Sequence, residues 1–232
     1  MESWERLNAE IVTCTRCPRL RAHCEQVART KRRAFSDQSY WGRPVPGFGD
    51  TAARVLLCGL APAAHGANRT GRMFTGDDSG NWLYAALHRA GFANQAEAHA
   101  TGDGLTLRGA FITASARCAP PDNKPTPAEL AACAPFLDRE IAMLTGVRVV
   151  VALGGIAWTT MLGHARRVDP ASVPSPRPAF GHGAEARIRM RANAPIVSFL
   201  GCYHPSRQNT NTGRLTREML DAVLLRAKRL AE

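Results

Sequence analysis

Two loops of the chain gather residue types suited to work on a planar, anionic ligand. The first reads Gly59-Leu60-Ala61-Pro62-Ala63-Ala64-His65-Gly66-Ala67-Asn68-Arg69-Thr70-Gly71-Arg72-Met73-Phe74-Thr75-Gly76-Asp77-Asp78. Its small residues and glycines let backbone N–H groups approach a ligand closely. Arg69 and Arg72 are suited to meeting phosphate. Phe74, an aromatic in a polar loop, either plugs into the core or stacks on a planar ligand. Asp77 and Asp78 stand at the expected start of a helix. One of them could simply cap it, and the cap is assigned to Asp78. The second loop reads His204-Pro205-Ser206-Arg207-Gln208-Asn209-Thr210-Asn211-Thr212-Gly213-Arg214. A single histidine in such a loop is usually just a polar surface group. Here it is accompanied by amides, Arg207 and Arg214, a composition that grips an anionic partner. Together the loops hold a carboxylate, a histidine, a stacking aromatic, amides and arginines, the means for acid–base or electrostatic work on a base or nucleotide.

The chain has seven cysteines. Cys14 and Cys17 form a C-x2-C pair, and Cys118 and Cys133 form a second pair with fourteen residues between them. Cys118 precedes Pro120-Pro121 in a stiff loop, and Cys133 lies one to two turns into the helix that follows. The four thiolates suit a metal site, with zinc and an iron–sulfur cluster equally open, or they are core thiols. Cys58 reads as a small core residue, and Cys24 and Cys202 have no evident partner.

These residues need a frame. Four apolar runs, 54–60, 109–115, 147–154 and 194–202, alternate with helical patterns at 79–90, 127–144, 155–162 and 214–231. Nearly continuous apolar strands between helices predict a parallel sheet covered on both faces, hence a three-layer α/β/α sandwich with a short four-stranded parallel sheet. Loops at the C-terminal strand ends then share one rim, which brings 60–78, 116–124, 154–156 and 203–214 together. Thr126-Pro127-Ala128-Glu129 reads as a capping box with proline at the first helical position. Pro135 is expected to kink or end that helix. The stretch 41–50 is too rich in Gly and Pro for regular structure, and 165–193 reads as an irregular surface excursion.

Composition narrows the class. The 232 residues are 45% hydrophobic, enough for a sizeable core. Thirty basic against nineteen acidic residues leave a net charge of +11, and only Lys31, Lys124 and Lys228 of the basic set are lysines. That balance points to an anionic partner, nucleic acid first, although basic surfaces also serve membranes and acidic proteins. No apolar run approaches the roughly 20 residues that span a bilayer, so no membrane partner is expected. The polar start, Met1 to Asn8, lacks the apolar core of a signal peptide. A cytoplasmic location with reduced thiols is expected. No long exposed apolar helix stands out, so a monomer is expected.

The two loops, 59–77 and 204–213, closely resemble the signature motifs of family 5, or B-type, uracil-DNA glycosylases. The run 117–129 and the four cysteines also resemble that family and its family 4 relatives, and the likeness extends from Cys14 to Arg217. The resemblance implies a single domain over 1–232 and a [4Fe–4S] cluster on Cys14, Cys17, Cys118 and Cys133 that ties in residues 1–35. It implies a monofunctional enzyme acting on DNA that contains uracil or another deaminated base. Such an enzyme flips the nucleotide out of the duplex and hydrolyses its N-glycosidic bond, the first step of base excision repair. By matching position, Phe74 stacks on the flipped base. Asp77 positions water and stabilises the cationic sugar, and His204 hydrogen-bonds the departing base. Asn209 supports the water or the base. Backbone N–H groups from Leu60, Ala61, Ala63 and Ala64 bind base oxygens. Arg69, Arg72, Ser206, Arg207, Gln208 and Arg214 face the DNA, with Arg207 and Gln208 in the wedge.

Two departures bear on specificity. The 60–63 stretch has no carboxylate, as is usual in family 5, which leaves Asp77 as the acid. Where the superfamily commonly places an asparagine to read uracil, this chain has Ala114. Losing that amide should broaden base choice to hypoxanthine or xanthine. The competing reading is a metal-containing nucleic-acid-binding protein without catalysis. A covalent role for His204 is not demanded by any residue.

Overall fold

The computed structural model describes residues 2–232. In chain order the elements are α1 (Trp4–Val12), α2 (Pro18–Thr30), β1 (Phe48–Gly49), β2 (Val55–Gly59), α3 (Ala67–Thr70), α4 (Asp78–Arg89) and β3 (Ala110–Ala114). They continue as α5 (Pro127–Met143), β4 (Val149–Leu153), α6 (Gly155–Val168), β5 (Glu185–Arg189), β6 (Ile196–Cys202), α7 (Arg207–Asn211) and α8 (Arg217–Ala231).

The four apolar runs are β2, β3, β4 and β6, and they pair in parallel. Their side chains alternate between two cores. Val55 and Leu57 pack toward α4 and α8, whereas Leu56 and Cys58 pack toward α5 and α6. The expected four-stranded parallel sheet is nevertheless corrected. The sheet is mixed and six-stranded, in the order β1-β3-β2-β4-β6-β5. Both added strands lie at the edges and run antiparallel, β1 on β3 and β5 on β6. β1 is two residues long inside the Gly/Pro-rich segment, too short to show a pattern. β5 reads Glu-Ala-Arg-Ile-Arg, and only Ile188 of it is buried, so it lacks the apolar signature of a central strand.

Helix α5 also departs from expectation. It continues through Pro135 to Met143. The expected capping box is present at its start. The Thr126 hydroxyl accepts from the Glu129 N–H at 3.2 Å, and the Glu129 carboxylate accepts from the Thr126 N–H at 2.8 Å. The same carboxylate takes a two-pronged ion pair from Arg19 at 2.8 and 2.7 Å, which ties α2 to α5. Arg19 and the backbone N–H hold the Glu129 carboxyl at about 2. Arg139 reaches back to Glu2 and Glu10, and Leu7 and Ile11 of α1 pack on Phe136.

One buried charge network anchors the rim that follows β3. Glu140 of α5 is fully buried and accepts from the Thr113 hydroxyl at 2.6 Å, Arg117 at 2.6 Å and the Gly47 N–H at 3.1 Å. Removing one member of such a pair strands the other charge out of water, which costs about 3–5 kcal/mol. Glu140→Ala is therefore expected to lower the unfolding free energy in urea by roughly that amount. A loss below about 1 kcal/mol, within the range of an exposed pair, would contradict this role.

Candidate active site

The C-terminal ends of the parallel strands surround a cavity of about 650 Å³. Its walls come from the loop after β2, the loop after β3 and the loop after β6, as the topology requires. Leu60, Ala61, Ala63, Ala64, Phe74, Asp77, His204, Ser206, Arg207 and Gln208 all line it.

Asp77 is half-buried where the first loop turns into α4. It, and not Asp78, is the N-cap: one carboxylate oxygen accepts from the Gly80 N–H at 2.8 Å. The other lies against Gly66, where any Cβ would overlap it. Burial pushes the Asp77 carboxyl above the ordinary aspartate range, and the Gly80 N–H partly offsets this. Asp78 instead pairs with Arg207 across the cavity mouth.

Phe74 adopts a left-handed backbone at φ 53°, a costly conformation for a bulky residue. Two glycines make room for it. A Cβ on Gly80 would strike the Phe74 carbonyl, and one on Gly59 would come within 2.9 Å of the ring. The Phe74 and His204 rings lie 5.6 Å apart between centroids, tilted by 31°. The rings are too close to admit a planar group between them, and both line one side of the cavity, the slot.

The His204 ring nitrogens make no hydrogen bond to protein among the described residues. Burial lowers its pKa to about 4, so the ring is neutral at physiological pH. Asn209 does not line the cavity. Its side-chain amide donates to the His204 carbonyl at 2.8 Å and fixes the loop that carries the histidine. Opposite, the N–H groups of Ala61, Ala63 and Ala64 donate to no protein acceptor among the described residues. They are free to serve a ligand.

Several expected contact residues are committed elsewhere. Arg69 turns inward: it donates to the carbonyls of His65 at 2.8 Å and Gly76 at 2.6 Å, and it covers the Phe35 ring at 4.0 Å. It thereby braces both ends of the first loop. Arg72 is buried in a two-pronged pair with Asp103 at 2.8 and 2.7 Å. Ala114 is buried in the core beside Gly59 and does not reach the cavity. Ser206 caps α7, and exposed Arg214 lies over Tyr203 at 4.7 Å.

Sequence reasoning missed the wall residues Arg32 and Phe35, and it placed Asp122 and Asn123 at the rim without giving them a role. Asp122 and Asn123 are both left-handed, at φ 54° and 56°. Pro121 before them and Pro125 after Lys124 were the available signal, because Asp and Asn tolerate that conformation in tight turns.

The expected [4Fe–4S] cluster is corrected as well. Cys14, Cys17, Cys118 and Cys133 line a common cavity of only about 20 Å³, room for roughly one water. Among the described residues no three or more His, Cys, Asp or Glu side chains are grouped to hold a metal ion. Cys118 instead packs with Leu20, Cys24 and Ala119 in a small buried cluster, and burial pushes the Cys133 thiol up to about 11. The thiols as placed do not fit the cluster. Residues 2–35 are held by the Arg19 and Arg139 ion pairs and the α1–α5 packing described above.

The profile of the Uracil DNA glycosylase superfamily matches residues 46–228. The Type-5 uracil-DNA glycosylase of Mycobacterium bovis is 54% identical over 226 residues, covering 97% of this chain and 81% of the relative. That of Thermus thermophilus is 52% identical over 221 residues, covering 95% of each. The chain belongs to the type-5 uracil-DNA glycosylases. A Type-4 uracil-DNA glycosylase of Pyrobaculum aerophilum is more distant, 34% identical over 53% of this chain. In this type-5 chain the matched region holds both signature loops and the whole sheet. Among the described residues no helix is long and apolar enough to cross a membrane.

The site makes a direct spectroscopic prediction. In the folded protein the His204 imidazole should titrate near pH 4 by NMR, below its ordinary 6.5. A midpoint at 6.5 or above would show that the ring is solvated rather than buried.

Proposed function

We propose that this chain hydrolyses the N-glycosidic bond of uracil flipped out of DNA, and of hypoxanthine or xanthine, and so begins base excision repair. The observation that carries this reading is the convergence of Phe74, Asp77 and neutral His204 on one cavity with unpaired N–H groups. The bond breaks with its electrons leaving on the base, so positive charge develops on the sugar and negative charge on the base. Each end of that charge separation has a matching group.

The base enters the slot and stacks on Phe74. His204, as a neutral donor, hydrogen-bonds a base oxygen as negative charge builds there. The N–H groups from Ala61 to Ala64 take another oxygen. The free oxygen of Asp77 faces the sugar, stabilises its cation and orients the water that attacks C1′. The proton lost by that water passes to the carboxylate or to solvent. Asn209 acts through His204 as a positioning residue. Arg207 and Gln208 reach the DNA stack from the cavity mouth. Base choice rests on backbone groups and small side chains at 60–64, which supports acceptance of several deaminated bases. A monomer in the cytoplasm completes the reading.

Asp77→Asn is expected to slow base release about 10²- to 10⁴-fold while leaving DNA affinity intact. Oligonucleotides carrying uracil, hypoxanthine or xanthine, cleaved with alkali after reaction, measure this. Unchanged rates in both Asp77→Asn and His204→Ala would favour a binding protein without catalysis. The raised Asp77 pKa also places the acid limb of the rate above pH 3.8, with activity falling as the carboxylate protonates.

Gly66→Ala tests the placement of that carboxylate. The added methyl must push Asp77 aside, and a displacement of about 1 Å should cost roughly 10²-fold in rate. Full activity in Gly66→Ala would show that the contact with Gly66 does not set the acid's position.

A further inference from the structure

The far end of the sheet holds a second cavity, of about 570 Å³. It lies at the starts of β2, β4 and β6, whereas the active site lies at their ends. β2 spans five residues, so about 17 Å of strand separates the two. Its floor is aliphatic, built from buried Leu56, Ile141, Leu144 and Val197. Its rim carries Arg54, Arg148, Arg187 and Arg191, and no Asp or Glu lines it.

Two of these arginines are partly occupied. Arg54 and Arg148 reach backbone oxygens at the end of α8, Ala231 for both and Glu232 for Arg148. Arg191 donates to the Thr145 carbonyl at 2.7 Å, a bond that steadies the guanidinium without neutralising it. Arg187 is exposed on edge strand β5, and its guanidinium makes no ion pair or hydrogen bond among the described residues. Arg187 and Arg191 therefore leave unneutralised positive charge beside an apolar floor.

We propose that this cavity docks a short acidic peptide segment of a partner protein, one apolar side chain resting on the floor and flanking carboxylates on Arg187 and Arg191. A DNA duplex fits less well. Its phosphates lie on a convex rod, meet protruding side chains and have no use for an aliphatic recess. A peptide with an apolar residue between carboxylates uses both the floor and the rim. Because the cavity lies at the opposite sheet end, the partner and damaged DNA can be held together.

The test uses the full chain and a fluorescein-labelled hexapeptide, Asp-Leu-Asp-Asp-Leu-Asp, read by fluorescence anisotropy at about 0.15 M salt. Saturable binding is expected, weakened roughly tenfold by Arg187→Glu and again by Arg191→Glu. The same peptide with serine in place of leucine should not bind. Uracil release from a short duplex should be equal in wild type and Arg187→Glu, which shows that the variant is folded. Equal peptide affinity in wild type and both variants would overturn the proposal, as would equal binding of the serine peptide. Loss of affinity in the variants for a uracil-free duplex, with no peptide binding in wild type, would replace it with a second DNA contact.

Discussion

The carboxylate of Asp77 has two oxygens, and the structure uses them differently. One accepts from the Gly80 N–H and starts α4, and the other lies bare against Gly66 facing the cavity. A single bond to the helix N-terminus thus supplies both the start of a core helix and a fixed orientation for the acid. The remainder of the first loop can be understood as what keeps that arrangement in place. Gly66 and Gly80 give up side chains for it, and Phe74 takes a strained backbone so that its ring can border the slot.

Burial does the second part of the work. The recess disfavours charge on both groups: it lowers the His204 pKa to about 4, which keeps the ring neutral at neutral pH, and it raises the Asp77 pKa, which the Gly80 N–H partly opposes. In the reaction proposed above, this places a carboxylate where the sugar becomes cationic and a neutral N–H donor where the base becomes anionic. A protonated imidazole there would also be an internal cation with no carboxylate paired to it among the described residues. Asn209 contributes by holding the His204 carbonyl, so the loop is set before a ligand arrives.

Much of this was legible in the residues. The four central strands are nearly continuous apolar runs, a signal that buried parallel strands cannot avoid producing. The rim then followed from topology, and the two loops landed together as expected. The edges were not legible. β1 is too short to have a period, and β5 alternates charged residues with Ala186 and Ile188 because one of its faces meets water. Local chemistry also misled in places. Asp77 and Asp78 are both sound caps by type, and only the three-dimensional turn selects between them. Arg69 and Arg72 look like phosphate ligands in a polar loop, yet carbonyls and Asp103 close by in space claim them. The four cysteines do converge, but a spacing rule cannot register the small cavity between them or the packing of Cys118 against Cys24 and Leu20.

The inward commitment of arginine changes what the chain's positive charge means for DNA. Arg69, Arg72 and Arg117 are all buried; Arg69 and Arg72 are satisfied largely by internal acceptors, and Arg117 donates through one nitrogen to Glu140. Each such guanidinium displaces no counterion when a duplex docks, because it never meets a phosphate. The linkage between salt and affinity therefore excludes these three of the thirty basic residues and is set by the cations that a duplex can reach.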